Sequence, residues 1–262
     1  MSFSMRRVRA VMLRNIMAEL TNFGRLMDAI YWPTIDIMLW GMTSSWLAQS
    51  EQQIPNLVLV IMTGLVFWQI VMRASYEISV GLLEEVWSRS FVTLFSTPLS
   101  INEWIFGVML MGVLKTILVL LFGVGIVWAF YTLNIFSFGW MLIPFSFALI
   151  MFGWVVGFLG AAVIVYKGDR VSSLPWVFAF LFAPFSAVYY PVALLPNWLQ
   201  SIALCLPTSY IFEGMRSVIA TGEFPVKDFA MSMGLNAVYL TCALMLFRFM
   251  FEKSRARGFD RL

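Results

Sequence analysis

The chain has 262 residues, of which 61% are hydrophobic and only 12% are charged, whereas a soluble globular domain carries roughly 25% charged residues. This composition, with a mean hydropathy of +0.86, excludes a soluble domain and predicts an integral membrane protein. The net charge of +3 fits basic loops on one side of a membrane, so it does not predict a nucleic-acid partner.

The N-terminal segment, residues 1–27, is basic and amphipathic. Its apolar side chains recur at helical spacing along one stripe, at Val8, Met12, Ile16, Leu20 and Phe23, while the arginines lie elsewhere around the helix. This pattern predicts a helix in the membrane interface, with a frayed basic tail as the alternative. No short apolar core with a cleavage site follows the basic residues, so we expect no cleavable signal peptide.

Six segments are long and apolar enough to be considered as membrane spans, since a helix needs about 20 such residues to cross the hydrocarbon core. They lie at about 28–47, 57–80, 103–130, 138–166, 174–192 and 229–250. The first is weak because Asp28 and Asp36 interrupt it. The sequence therefore predicts one all-α membrane domain, residues 1–262, with six transmembrane helices.

The stretch before the last span cannot be one straight helix. Residues 171–212 contain five prolines and no charge, and as one helix they would be roughly 63 Å long, about twice the thickness of the membrane core. We expect one crossing followed by a re-entrant outer hairpin at 193–222, with short helices near 197–205 and 209–221.

The orientation follows from the basic residues of the loops. With the N-terminus inside, the inner segments carry 13 Lys and Arg residues and the outer segments carry two. The positive-inside rule then predicts a multi-pass protein with both termini in the cytoplasm. It also places the amphipathic segment 81–102, between the second and third spans, on the cytoplasmic side.

Four charged residues fall inside predicted spans: Asp36, Arg73, Glu77 and Lys115. At 1.5 Å per residue, Asp36 and Arg73 lie at about the same depth, roughly 12 Å, so we expect them to pair, with Glu77 sharing the cation. Buried charges in a membrane are costly and indicate either pairing or a wet path. Two interpretations stay open: the groups lock helices together or face a cavity, or they contact an anionic substrate.

The chain has 11 tryptophans. Those near predicted interfaces form the expected aromatic belt and need no further function; they are Trp46, Trp104, Trp128 and Trp140. Trp40, Trp68 and Trp154 fall nearer the midplane, where they either pack in the core or line a substrate path.

Catalytic motifs are missing from the sequence. None of the four lysines follows a glycine, so there is no Walker A loop, and the absence of histidine rules out the usual triads and zinc motifs. With two cysteines and no histidine, we expect no metal site. The chain is predicted not to be an enzyme, and it has no ATPase motif of its own.

Three features in order resemble the type-2 ABC transporter permeases. The amphipathic N-terminus leads into a weakly apolar first span, and segment 81–102 resembles the family's coupling segment, with an acidic start and a Thr97-Pro98-Leu99-Ser100 end. The proline-rich stretch resembles the family's re-entrant segment. Its matching residues are Pro191, Pro196, Trp198, Pro207, Thr208, Ser209, Tyr210, Glu213, Arg216 and Gly222.

The resemblance covers essentially the whole chain and implies a half-transporter in a bacterial inner membrane. It implies a homodimer, with a separate ATP-binding cassette ATPase subunit that binds ATP and Mg²⁺ and docks on the cytoplasmic face. The coupling role falls on Glu84, Glu85, Trp87, Arg89 and Phe91, and a lesser contact on the helix from Arg6 through Glu19. The implied cargo is a lipid-linked glycan or an amphipathic drug-like molecule.

Two other functions fit the composition. An ion-coupled secondary transporter or channel would use Asp36, Arg73, Glu77 and Lys115 as its coupling groups. A pure assembly scaffold would show neither ATP-driven nor ion-driven transport. The absence of a hairpin in the first half of the chain argues against the inverted repeats of many secondary transporters.

Overall fold

The computed structural model describes residues 3–21, 23–50, 57–133 and 135–258. In this part of the chain all the regular structure is helical, as the composition predicts. Ten α-helices follow one another: α1 Met5–Thr21, α2 Phe23–Ser50, α3 Leu57–Trp87, α4 Phe91–Ser96, α5 Ile101–Tyr131, α6 Leu142–Lys167, α7 Leu174–Phe182, α8 Asn197–Leu204, α9 Pro207–Thr221 and α10 Val226–Ala256.

Helix α6 forms the centre of the bundle. It packs chiefly between α3 and α10. Of the apolar 18-residue stretch that makes α6 a candidate span, 83% is buried, whereas the corresponding share for α10 is 17%. Small residues allow the close approach to α3: a Cβ on Gly153 would lie 2.5 Å from the Cβ of Ala74 and 2.8 Å from the carbonyl oxygen of Val71. Gly157 faces the next turn of α3 in the same way.

Four helices of the described part are long and apolar enough to cross a membrane. They are Val58–Trp87, Ile101–Tyr131, Phe138–Lys167 and Val226–Ala256, and they match four of the six predicted spans. Helix α2 has 28 residues and contains Pro33, but it is not one of these four. The protein is thus a multi-pass all-α membrane protein.

The fifth predicted span, 174–192, is shorter than expected. Helix α7 ends at Phe182 and continues only as a 3₁₀ turn, Ala183–Phe185, so the apolar helix covers roughly 18 Å. Pro184 lacks the N–H that would continue the α-helical ladder. Between Ser186 and Pro196 the one further helical piece is a 3₁₀ turn, Val192–Leu194, and the Thr208 hydroxyl, 2.8 Å from that of Ser186, ties this stretch to α9.

The two short helices expected near 197–205 and 209–221 are present as α8 and α9. Helix α9 packs against α10 and α6, and α8 packs on α9. Pro207 stands in the first turn of α9, and Gly222 ends it with a left-handed φ of 75°. The Tyr239 hydroxyl of α10 donates to the Cys205 carbonyl, 2.9 Å away, and holds α8 against the bundle.

Helix α1 runs along α5. Arg7 pairs with Glu103 and Glu19 pairs with Lys115, and since both pairs are 96 residues apart, the two helices run parallel over about 18 Å. The predicted apolar stripe is only partly buried. Val8 and Val11 are the buried residues of α1, whereas Leu20 is 70% exposed, because the buried face is the one that meets α5.

The segment 81–102 is not one separate element. Helix α3 continues through Trp87, a turn at 88–90 follows, and α4 and an extended stretch lead to α5. Helix α5 begins with a capping box, in which the Ser100 side chain accepts from the Glu103 N–H and the Glu103 side chain accepts from the Ser100 N–H. The first part of the predicted coupling segment, 81–87, therefore belongs to the same helix as the second predicted span.

Candidate functional site

A large cavity of about 1250 Å³ opens along the side of the bundle. Its walls come from α1, α2, α3, α5 and α7, together with Tyr189 from the irregular stretch that follows α7. This volume exceeds the 300–1,000 Å³ of typical small-ligand pockets.

One face of α3 forms the long wall of the cavity. The lining residues of α3 recur every three or four positions, which is the period of one helix face; they are Leu65, Trp68, Gln69, Met72, Arg73, Tyr76, Glu77, Val80, Gly81, Glu84 and Glu85. From Leu65 to Glu85 this face spans roughly 30 Å, about the thickness of a bilayer core. The cavity is therefore long enough to be a path across a membrane.

The two ends of the cavity differ in character. At one end, Arg14 of α1 pairs with Glu85 of α3, and Glu85 also accepts from the Ser90 hydroxyl. At the other end, the Trp40 and Tyr189 rings stack with centroids 5.2 Å apart. One end is charged and the other is aromatic.

Lys115 lies in the wall between α1 and α3, where it pairs with both Glu19 and Glu77. The three side chains are 11%, 15% and 8% exposed, respectively, so the cluster is largely removed from solvent. It joins α1, α3 and α5. This arrangement agrees with the interpretation that Lys115 and Glu77 lock helices together, since a buried cation needs such partners.

The predicted pair between Asp36 and Arg73 is wrong. The Asp36 carboxylate instead accepts from the Gln69 amide, 3.1 Å away, and among the side chains that the structure describes neither Asp36 nor Arg73 forms an ion pair. Glu77 does not share the cation of Arg73, because it faces Lys115. Both Asp36 and Arg73 nevertheless line the cavity.

Two buried N–H donors in the cavity wall lack an acceptor among the residues that the structure describes. Trp68 is 4% exposed, and its Nε1 has no hydrogen-bond partner, as is also the case for Nε of Arg73. Native proteins satisfy the great majority of buried donors. Trp40 also lines the cavity, whereas Trp154 is not among the lining residues.

The residues with an expected coupling role are divided between two surfaces. Glu84 and Glu85 face the cavity, and Glu85 is held by Arg14. Trp87 is 53% exposed, and Arg89 is exposed in the turn, with a left-handed φ of 53°. The side chain of Phe91 lies outside the part that the structure describes. Its role stays a prediction.

The proline-rich segment is tied together by Glu213. Its carboxylate accepts from the Val192 N–H at 2.6 Å and pairs with Arg216 at 3.1 Å. The Tyr210 hydroxyl donates to the Leu204 carbonyl, 2.9 Å away. The other predicted hairpin residues differ in exposure: Pro207 is buried, while Pro191, Pro196 and Trp198 are exposed.

Several cavity residues were not predicted. Gln69 precedes Arg73 by one helical turn on the same face of α3, so this spacing could have indicated it. Arg14 and Glu19 fall in the predicted N-terminal helix, but nothing in the sequence shows that they reach α3 and α5. Neither a protein-family model nor a curated protein sequence matches this chain.

Proposed function

We propose that the chain is the transmembrane permease subunit of an ATP-driven ABC exporter in a bacterial inner membrane. The observation that carries this proposal is the cavity along α3, which is about as long as a bilayer core is thick and has a charged end and an aromatic end. Such a cavity suits an amphipathic cargo, whether a lipid-linked glycan or a drug-like molecule.

The continuity of α3 supplies a physical route for coupling. Helix α3 runs without a break from the cavity wall to Trp87, next to the exposed turn that contains Arg89. An α-helix transmits a push along its axis because its hydrogen-bonded backbone is stiff. A separate ATPase that presses on Trp87, Arg89 and α4 would therefore move the cavity wall, and ATP and Mg²⁺ would bind that partner subunit.

A second copy of the chain would complete the path. The cavity is open on one side, and α2 beside it exposes large apolar side chains such as Leu39 and Met42, which are 60% and 62% exposed. Patches of this kind face lipid or a partner in a membrane protein. A homodimer that closes the two cavities on each other fits the family resemblance of the sequence.

The second candidate function is an ion-coupled secondary transporter. It is favoured by Asp36 and Arg73, which line the cavity without an ion pair among the described side chains. Lys115 and Glu77 fit this function less well, because each is held in the three-residue cluster. This function requires transport without an ATPase partner.

Reconstitution with candidate ATPase subunits tests the proposal. Liposomes that contain the full chain and its partner should show vanadate-sensitive ATP hydrolysis that depends on the chain. Trp87→Ala with Arg89→Glu should reduce this activity about tenfold or more, because interface anchors of this type carry a large share of binding energy. Trp128→Ala is the matched control, since Trp128 is 66% exposed but lies near the C-terminal end of α5, away from the Trp87–Arg89 turn.

The outcomes separate the candidate functions. Loss of ATP hydrolysis in the double variant, with Trp128→Ala unchanged, supports the permease. Cargo movement by the chain alone, driven by an ion gradient and abolished by Asp36→Asn, would overturn it in favour of the secondary transporter. The variant Glu84→Lys with Glu85→Lys tests whether these two acids also contact the ATPase.

A further inference from the structure

The charges of the cavity wall fall into two groups. Lys115 pairs with both Glu19 and Glu77, and Arg14 pairs with Glu85 at the charged end, beside Glu84. Asp36 of α2 and Arg73 of α3, which also line the cavity, remain. Within the described part of the chain, neither has an oppositely charged side chain within 4.0 Å.

The two remaining charges lie on neighbouring helices, Asp36 on α2 and Arg73 on α3, and they do not pair with each other. Asp36 accepts from Gln69, and Arg73 follows Gln69 by one helical turn, a rise of about 6 Å. Asp36 is therefore placed about one turn along α3 from Arg73, and one small zwitterionic group that carries both charges would neutralise both residues at once.

Unsatisfied donors mark the side of the wall that needs an anion. Among the residues that the structure describes, Nε of Arg73 and Nε1 of Trp68 have no acceptor, and both side chains line the cavity. A guanidinium group and an indole N–H donate well to phosphate oxygens.

Aromatic rings mark the side that suits a cation. Tyr189 stacks on Trp40, Tyr76 meets Trp176 edge to face with centroids 5.2 Å apart, and all four line the cavity that contains Asp36. Ring faces together with a carboxylate bind ammonium groups, including quaternary ones.

We propose that this part of the cavity binds a phosphate-linked ammonium zwitterion of the phosphocholine or phosphoethanolamine type. The phosphate lies at Arg73 and Trp68, and the ammonium lies at Asp36 among the rings. Val177, Phe180 and Val119 supply apolar wall for an acyl chain, which makes a membrane lipid, or a molecule built on one, the preferred source. This inference rests on the proposed function, since it names the class of cargo in the proposed path.

Binding to the purified full chain tests the inference without any ATPase. The chain is kept in a maltoside detergent and titrated with diheptanoyl phosphatidylcholine, dodecyltrimethylammonium and dodecyl phosphate, while tryptophan fluorescence is followed. We expect the zwitterionic probe to bind about tenfold tighter than either singly charged probe, since it satisfies both charged residues. Glycerophosphocholine, which lacks acyl chains, distinguishes a soluble headgroup from a lipid.

Charge-removing variants give the decisive pattern. Asp36→Asn should weaken binding of the zwitterion and of the ammonium probe about tenfold, and leave dodecyl phosphate unchanged. Arg73→Gln should weaken binding of the zwitterion and the phosphate probe and leave the ammonium probe unchanged. Lys227→Gln, an exposed substitution outside the cavity, is the control. If the first variants fail to fold, Asp36→Glu and Arg73→Lys are used instead, because they keep the charges.

Each result supports or overturns the site. The reciprocal pattern supports it, and equal affinity for glycerophosphocholine supports it with a soluble source. Equal binding of all three amphiphiles, or loss of only the ammonium probe in both variants, overturns it in favour of apolar binding or an organic-cation site. If the zwitterion does not bind, only the proposed class of cargo is overturned, because ATPase coupling is measured in a separate experiment.

Discussion

Trp40 and Tyr189 stack with their ring planes inclined by only 12°, and both rings line the cavity. Tyr189 adjoins Val188, whose carbonyl oxygen would lie 2.6 Å from a Cβ on Gly64 of α3. Residues of α3 before Leu65 do not line the cavity, so the cavity ends at the level of this pair. The stack joins α2 to the irregular stretch after α7 and forms the aromatic end wall.

Removing one ring of this stack should open the aromatic end. We expect Tyr189→Ala to raise the leak of a small trapped fluorophore from proteoliposomes about threefold or more, because the variant loses both the ring volume and the stacking contact. Tyr189→Phe keeps the ring and should not leak. Trp128→Ala, which removes an exposed ring outside the cavity, controls for general loosening. A leak equal to that of the unchanged chain would place the barrier elsewhere.

Removing the cation from the Glu19–Lys115–Glu77 cluster should destabilise the protein. Lys115→Met leaves two acidic side chains close together and largely buried, and breaking a buried pair costs about 3–5 kcal/mol. A thermal unfolding curve in detergent measures the loss. Adding Glu19→Gln and Glu77→Gln to Lys115→Met should restore most of the stability, since no uncompensated charge remains. A stable single variant would show that the cluster does not hold these helices together.

From the sequence, the charged residues that line the cavity are predicted more accurately than their ion-pair partners. Asp36, Arg73, Glu77 and Lys115 all line the cavity, as their cost inside a membrane suggested. Depth along a span gave the wrong partner for Arg73, however. Depth fixes the height of a residue but not the direction in which it faces, and Lys115 turned out to be the partner of Glu77.

The local sequence pattern also does not predict which distant helices pack against each other. Trp104 was expected in an interfacial belt, but it is 2% exposed and stacks on Phe247 of α10, with centroids 5.9 Å apart. The amphipathic stripe of α1 indicated a helix but not its course along α5. Both features depend on residues more than 90 positions away, and periodicity carries no information about such contacts.

The glycines of α6 that face α3 should not tolerate a side chain. Gly153→Val would bring its Cβ to 2.8 Å from the Val71 carbonyl oxygen, which only a backbone shift can relieve. We expect the variant to lose a few kcal/mol of stability or to fail to fold, as overpacked cores typically lose about 1–3 kcal/mol or more. Gly125→Val is the matched control, because no atom lies within 4 Å of its Cβ position. Size-exclusion profiles and thermal unfolding compare the two.

Cysteine labelling checks the predicted orientation in the membrane. Cys205 and Cys242 are free and exposed, so both are first replaced by alanine. A cysteine at Thr97, which is exposed between α4 and α5, and one at Leu194, which is 74% exposed beyond α7, then report the two sides. If the loop charges set the orientation, a membrane-impermeant maleimide added to intact cells labels Leu194→Cys and reaches Thr97→Cys only after lysis. The reverse pattern would place the Trp87–Arg89 turn outside the cell, where no ATPase could dock on it.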